Sequence, residues 1–225
     1  MSIDHHDHHH DHDHEHEHGH KHRHPNQPDH DDTLTYYRKL EIAVRELLIE
    51  KSVITADEVR KVVEDIESRN PEGGARVVAR AWSDPAFRAL LLSDGTAACE
   101  AMGFDMALQD VKLVAVENTP DVHNVVVCTL CSCYPRMLLG LPPAWYKSRA
   151  YRSRVVNEPR AVLREFGLDL PGTVAVRVHD STADLRYLVV PMRPRGTEGL
   201  SEAELVPLVT RDSMIGTAVL RDGAA

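Results

Sequence analysis

Val122-His123-Asn124-Val125-Val126-Val127-Cys128-Thr129-Leu130-Cys131-Ser132-Cys133-Tyr134 is a valine-rich run that ends directly in three cysteines within six residues. Valine is stiff at χ1 and favours extended backbone, so the run predicts a strand with the cysteines on the loop beyond it. Upstream, Val111–Val116 is a second apolar β-branched run, separated from the first by the turn cluster Asn118-Thr119-Pro120-Asp121. Downstream, Val174–Val178 and Leu185–Val190 read as two more strands linked by His179-Asp180-Ser181-Thr182. Asp180 and Asp184 flank what looks like a hairpin turn, where carboxylates ordinarily cap backbone amides in solvent.

The rest is helical in pattern. Apolar residues recur at helical spacing from Tyr36 to Leu48, and Thr55 with Glu58 forms a capping box opening a helix to about Ser68. Pro71-Glu72-Gly73-Gly74 reads as a break, followed by helix from Ala75 to Trp82. Asp84-Pro85 is an N-cap with a first-turn proline, predicting one helix through about Met102. Pro159 introduces a short helix to residue 166, and Ser201 with Glu204 caps another to about Val209. These patterns predict an α+β protein in which residues 33–104 form a helical arm and residues 105–220 a metal-binding body.

Residues 1–32 form a different kind of chain. Thirteen of the fifteen histidines lie there, with nine acids against Lys21 and Arg23, a balance of −7 out of the net −9. Such a leader offers no apolar surface to offset its ordering entropy, which predicts disorder. Its density of imidazole and carboxylate would hold divalent metals loosely in many arrangements; a dispensable tail is the alternative. The remaining residues are nearly neutral, without the basic excess that grips nucleic acid. No apolar run reaches the ~18–20 residues of a membrane span, and no secretory leader is visible, so a cytoplasmic protein is expected.

Cys128, Cys131 and Cys133 carry the chemistry. A cytoplasmic chain seldom clusters cysteines for disulfides, and Cys131 and Cys133 are poorly spaced to bridge each other. A zinc knuckle would need a fourth ligand, and Cys99 is the only spare, inside a predicted helix. A redox Cys-x-x-Cys leaves the third cysteine unexplained. The Cys-Ser-Cys tripeptide suggests a sharper reading. Two thiolates flanking two peptide nitrogens can form fused chelate rings if the amides lose their protons, which favours a strongly polarising trivalent ion over Zn²⁺. Cys128 would then cap the plane, leaving one position for water or substrate.

The run Val127–Tyr134 resembles the metal motif of the nitrile hydratase alpha subunit. The similarity extends to Asp94–Ala98, Glu117–Pro120, Leu139–Lys147, Tyr151–Val156, Arg186–Val189, Gly196–Gly199 and Thr210–Gly216, and covers about residues 35–218. It implies a layered α/β/β/α body with short mixed strands. It implies as metal ligands the sulfurs of Cys128, Cys131 and Cys133 and the amide nitrogens of Ser132 and Cys133. It further implies low-spin Co³⁺, Cys131 oxidised to sulfinate and Cys133 to sulfenate. Thr129 and Tyr134 match the cobalt branch, and Gln109 stands where the family has a pocket glutamine. The expected activity is hydration of a nitrile to its amide, the attacking oxygen coming from activated water or the Cys133 sulfenate, with Ser132 supplying a hydroxyl contact. A beta subunit, or two smaller partner chains, and a cobalt-loading activator are expected partners.

Arg136 departs from the family pattern, which has Trp there. The similar gamma subunit of thiocyanate hydrolase has Arg, so that activity is an alternative, and toyocamycin-type three-subunit nitrile hydratases another. Arg136 would shape the pocket toward polar or anionic substrates, or salt-bridge at an interface. A non-catalytic cobalt carrier would instead show labile metal and plain thiols. His123 is expected to make a turn or interface hydrogen bond rather than to ligate. Arg152, Arg154 and Arg186, near Tyr151 and Tyr187, suggest an interface.

Overall fold

The computed structural model describes residues 34–106 and 111–222; the histidine leader and Gln109 lie outside them. Two helices come first, α1 (Tyr36–Glu50) and α2 (Ala56–Ser68). Thr55 Oγ1 accepts the Glu58 amide at 3.1 Å while the Glu58 carboxylate accepts the Thr55 amide at 2.7 Å, the reciprocal cap expected from the pair. Neither helix buries a residue, and Tyr36, Tyr37, Leu47 and Val62 are exposed.

The next three helices, α3 (Glu72–Ser83), α4 (Pro85–Ser93) and α5 (Gly95–Ala101), share one core with the strands. Here the sequence reading needs two corrections. The glycines at 73 and 74 do not break a helix but lie inside α3. A Cβ at Gly74 would come within 2.5 Å of Leu139 and 2.7 Å of the Met214 sulfur. Close approach of α3 to the segment beyond the cysteines therefore outweighs glycine's poor helix propensity. The expected helix from Pro85 to Met102 is likewise two. Asp94 ends α4 and caps α5, its carboxylate accepting the Ala97 amide at 3.0 Å. The corner lets Gly95 press on Leu113, where a Cβ would meet the carbonyl oxygen at 2.7 Å, and lets Thr96 Oγ1 accept the Leu113 amide at 2.9 Å.

The strands are β1 (Lys112–Glu117), β2 (Val122–Val127), β3 (Ala175–Asp180) and β4 (Leu185–Val190). They form two parallel pairs. β1 runs beside β4, and β2 beside β3, with Val122 opposite Ala175 and Val127 opposite Asp180. The turn after Asp180 is thus no hairpin: it carries the chain from one pair to the other, because β3 and β4 each find their partner upstream. The pairs stack, α4 and α5 covering β1 and α9 (Pro159–Glu165) covering β3, which gives the α/β/β/α layering. Val125, Val126 and Val127 of β2 and Leu188, Val189 and Val190 of β4 are all fully buried in the shared core. Side chains of this kind contribute roughly 1.5–3 kcal/mol each.

Short helices complete the body: α6 (Arg136–Leu139), α7 (Ala144–Lys147), α8 (Arg149–Arg154), α10 (Glu202–Leu205) with a 3-10 turn at Val206–Leu208, and α11 (Arg211–Ile215). Gly216 ends α11 at φ +88, its Cα so close to β2 that a Cβ would lie 1.9 Å from the Asn124 carbonyl oxygen. Among the described residues no helix is long and apolar enough to cross a membrane.

Candidate metal centre

The parallel register that sets Asp180 beside Val127 also builds the site. The Ser181 amide donates to the Val127 carbonyl at 2.7 Å, closing the ladder, and the chain turns away at buried Cys128. The Asp180 carboxylate then accepts both the Thr129 amide at 2.9 Å and the Thr129 hydroxyl at 2.6 Å. Asp180 therefore clamps the first residue of the cysteine loop from the neighbouring strand. Sequence reading placed it in a solvated turn, and only the strand register reveals its partner.

The loop curls so that Cys128, Cys131 and Cys133 bring their sulfurs within 4.8 Å of one another. Cys128 and Cys131 are 3.5 Å apart at sulfur, Cys131 and Cys133 3.2 Å, so these are three free thiols and not a disulfide. The Cys131 amide donates to the Cys128 sulfur at 3.3 Å. Hydrogen bonds from Cys133 and then Cys128 push the Cys131 thiol down. Burial pushes Cys133 up to about 12, reinforced by its contact with Cys131. Cys131 is also the most exposed of the three.

Two carbonyls of the loop, and one of β2 just before it, find side-chain donors. Arg152 Nη1 donates to the Cys131 carbonyl at 2.7 Å, Tyr146 Oη to that of Cys133 at 2.8 Å, and Tyr151 Oη to that of Val126 at 2.7 Å. All three come from α7 and α8. Two aromatic contacts fix those helices: Tyr134 lies edge-on to Tyr146, and Trp145 edge-on to Tyr151, both at 5.0 Å. Sequence reading missed Tyr146 and Tyr151 as supports of the loop, and the only signal for them was their place in the family-like runs. Of the three arginines expected at an interface, Arg154 instead pairs with Glu158 and Glu165, tying α8 to α9.

Above the sulfurs lies an open cleft of about 360 Å³, lined by Cys131, Ser132, Cys133, Tyr134, Arg136 and Arg186. Arg136 is exposed at the start of α6, and the Arg186 cation lowers the thiol of Cys133 electrostatically against burial. A larger cleft, about 470 Å³, opens at the far ends of β1 and β4 beside Asn118, His123 and Pro191, and holds none of the cysteines. His123 is no ligand: Nε2 donates to the Gly216 carbonyl at 2.7 Å, and Nδ1 lies 3.3 Å from the Asn118 amide nitrogen. Cys99 is fully buried in α5, its thiol pushed up to about 12 chiefly by burial.

Three soft sulfur donors within 4.8 Å of one another suit a thiophilic ion. The residues present fit the trivalent centre expected from the Cys-Ser-Cys tripeptide.

The sequence profile of the nitrile hydratase alpha chain matches residues 35–218. The chain belongs to that family. It is 51% identical over 192 residues to the high-molecular-weight cobalt-containing nitrile hydratase alpha subunit of Rhodococcus rhodochrous, covering 84% of this chain and 94% of the relative. To the thiocyanate hydrolase gamma subunit of Thiobacillus thioparus it is 45% identical, over 82% of this chain and 80% of the relative. Among solved structures, a double mutant of the Fe-type nitrile hydratase from Comamonas testosteroni Ni1 superposes with a TM-score of 0.77 at 42% identity, covering 84% of this chain and 94% of the other. A thiocyanate hydrolase mutant superposes at 0.78, also at 42% identity, covering 85% and 93%. The chain shares the α+β layering of these structures, and its three-cysteine cluster is consistent with a metal-binding site.

Proposed function

We propose that this chain is the metal-bearing alpha subunit of a cobalt nitrile hydratase, a hydro-lyase that adds water across a carbon–nitrogen triple bond to give the amide. The observation that carries the reading is the convergence of three cysteine sulfurs beneath an open cleft. The sulfurs of Cys128, Cys131 and Cys133 and the nitrogens of Ser132 and Cys133 would hold one Co³⁺, with Cys131 as sulfinate and Cys133 as sulfenate. Bound there, the ion supplies Lewis acidity that makes the nitrile carbon electrophilic.

The chain's own residues set where that chemistry happens. Buried Cys128 closes the floor, and the Asp180–Thr129 clamp keeps the loop from rearranging between turnovers. Arg136 and Arg186 hold positive potential at the cleft, which draws in an electron-rich substrate. The Ser132 hydroxyl offers a hydrogen bond at the floor, and Gln109 is assigned to orient substrate or water. A beta subunit, or two smaller chains, would wall the open side and accept the exposed faces of α1 and α2, while an activator loads the cobalt. The four free thiols suit a reducing cytoplasm.

Arg136 supports a second reading, thiocyanate hydrolysis, because an exposed guanidinium with no ion-pair partner among the described residues suits an anion. Assay of the assembled enzyme on an apolar nitrile, a polar nitrile and thiocyanate separates the two. Arg136→Trp should shift preference toward the apolar nitrile, and an unchanged ratio would remove Arg136 from substrate selection.

A further inference from the structure

The two peptides between Cys131 and Cys133 are not equivalent in their surroundings. The Cys131–Ser132 peptide gives its carbonyl oxygen to Arg152 Nη1 at 2.7 Å, and because the peptide is trans its N–H points the opposite way. Arg152 stands on α8, and among the described residues its guanidinium makes no ion pair: Nη1 donates only to this carbonyl, and buried Nε has no hydrogen-bond partner. A buried, unsatisfied guanidinium nitrogen is costly, and arginine is usually found where a carboxylate or phosphate needs it. Here no acid is placed to meet it.

An amide resonates across nitrogen, carbon and oxygen. When its nitrogen binds an ion and its proton passes to a solvent base, the nitrogen's electron pair is shared with the ion and the remaining negative charge spreads onto the carbonyl oxygen. Three anionic sulfur ligands and two such nitrogens carry more negative charge than a trivalent ion cancels. The excess must be met by the protein, because a partly buried charge without a counter-charge is expensive.

We propose that Arg152 is a positioning residue that supplies this counter-charge: its guanidinium fixes the plane of the Cys131–Ser132 peptide and stabilises the charge that metal binding by the Ser132 nitrogen delivers to the Cys131 carbonyl oxygen. The inference rests on the proposed ligand set, but not on the identity of the substrate. Arg152 touches neither the sulfurs nor the cleft, and its effect is carried through the peptide bond.

The test uses the chain co-expressed in cobalt medium with its partner subunit and activator, as wild type, Arg152→Lys and Arg152→Gln. Glutamine can still donate a neutral hydrogen bond to the carbonyl; lysine keeps the charge. Three quantities are read: cobalt per chain, cobalt lost to EDTA in a fixed time, and the energy of the sulfur-to-cobalt charge-transfer band. The melting temperature of the metal-free complex serves as the folding control. We expect Arg152→Gln to lose cobalt about tenfold faster, as fits loss of one charge-assisted hydrogen bond, with a shifted band, while Arg152→Lys stays within about twofold of wild type by the same measure. Gln and Lys variants that retain cobalt equally would overturn the proposal, since a merely structural hydrogen bond is kept by both. So would a fall in metal-free melting temperature that accounts for the whole loss. Should the Gln variant fail to assemble, the Lys variant still decides: tenfold weaker retention despite its charge contradicts the proposal. Wild-type protein that holds no EDTA-resistant cobalt would instead refute the cobalt reading itself, a result distinguishable from either.

Discussion

Single polar contacts decide how firmly the cysteine loop is held. Tyr146→Phe removes the side-chain donor that, among the described residues, meets the Cys133 carbonyl, and should cost about 1–2 kcal/mol in urea unfolding, the penalty for an unsatisfied acceptor. An unaltered midpoint would mean that the carbonyl finds another partner. Asp180→Ala strips the clamp from Thr129 and should destabilise by a similar ~1–2 kcal/mol; its further signature is faster amide exchange at Thr129 and Leu130. His123 gives a pH dependence. Its Nε2–H donates to Gly216 and its Nδ1 accepts from Asn118, so the neutral ring is satisfied, and burial holds its pKa below the usual 6.5. The unfolded chain therefore takes up a proton before the folded one does as pH falls. Stability should be fully present above about pH 6.5 and decline below it toward the lower folded value. His123→Gln, which can accept and donate at the same two points, should flatten part of that slope between pH 7.5 and 5; His179, also held low by burial, contributes the rest. An unchanged slope would exclude His123 as its source.

At the level of elements, what was legible in the sequence followed from local chemistry. The capping boxes at Thr55 and Ser201 and the Asp84-Pro85 start involve residues three or fewer apart, and each helix begins where they indicate. The strands were visible as valine runs. What local pattern could not show was long-range contact. Gly73 and Gly74 look like a breaker until Leu139 and Met214 are found against them, and the strand after Asp180 looks like a hairpin return until β4 is seen beside β1. That the three cysteines cluster could be expected from their spacing, but the contacts of Asp180 and Arg152, 51 and 21 residues from their partners, could not. Gly216 makes the same point as a prediction. Gly216→Ala combines positive φ with a collision against the Asn124 backbone, neither of which a side chain can relieve. It should lose several kcal/mol, roughly the 1–3 of an overpacked core plus 1–2 for left-handed backbone. A soluble variant with an unshifted melting temperature would contradict the packing described.

On the scale of the whole molecule, stability is unevenly distributed. Residues from Glu72 onward share one core, while α1 and α2 expose Tyr36, Tyr37, Leu47 and Val62 and bury nothing. Helices of this length are marginal in water without tertiary packing. In the isolated chain, amides of residues 36–68 should exchange far faster than those of β2 and β4, and binding of the partner subunit should slow them selectively. Uniform protection without a partner would show that the arm is stable alone. The near-neutral body, the layered fold and the clamped loop all serve one point, where three sulfurs meet. The most direct test of that point is the mass of the tryptic peptide Leu113–Arg136 from cobalt-grown protein, which contains Cys128, Cys131 and Cys133 and no methionine or tryptophan. The account predicts three added oxygens, two on Cys131 and one on Cys133, in protein whose cobalt resists EDTA; three plain thiols with readily removed cobalt would contradict it.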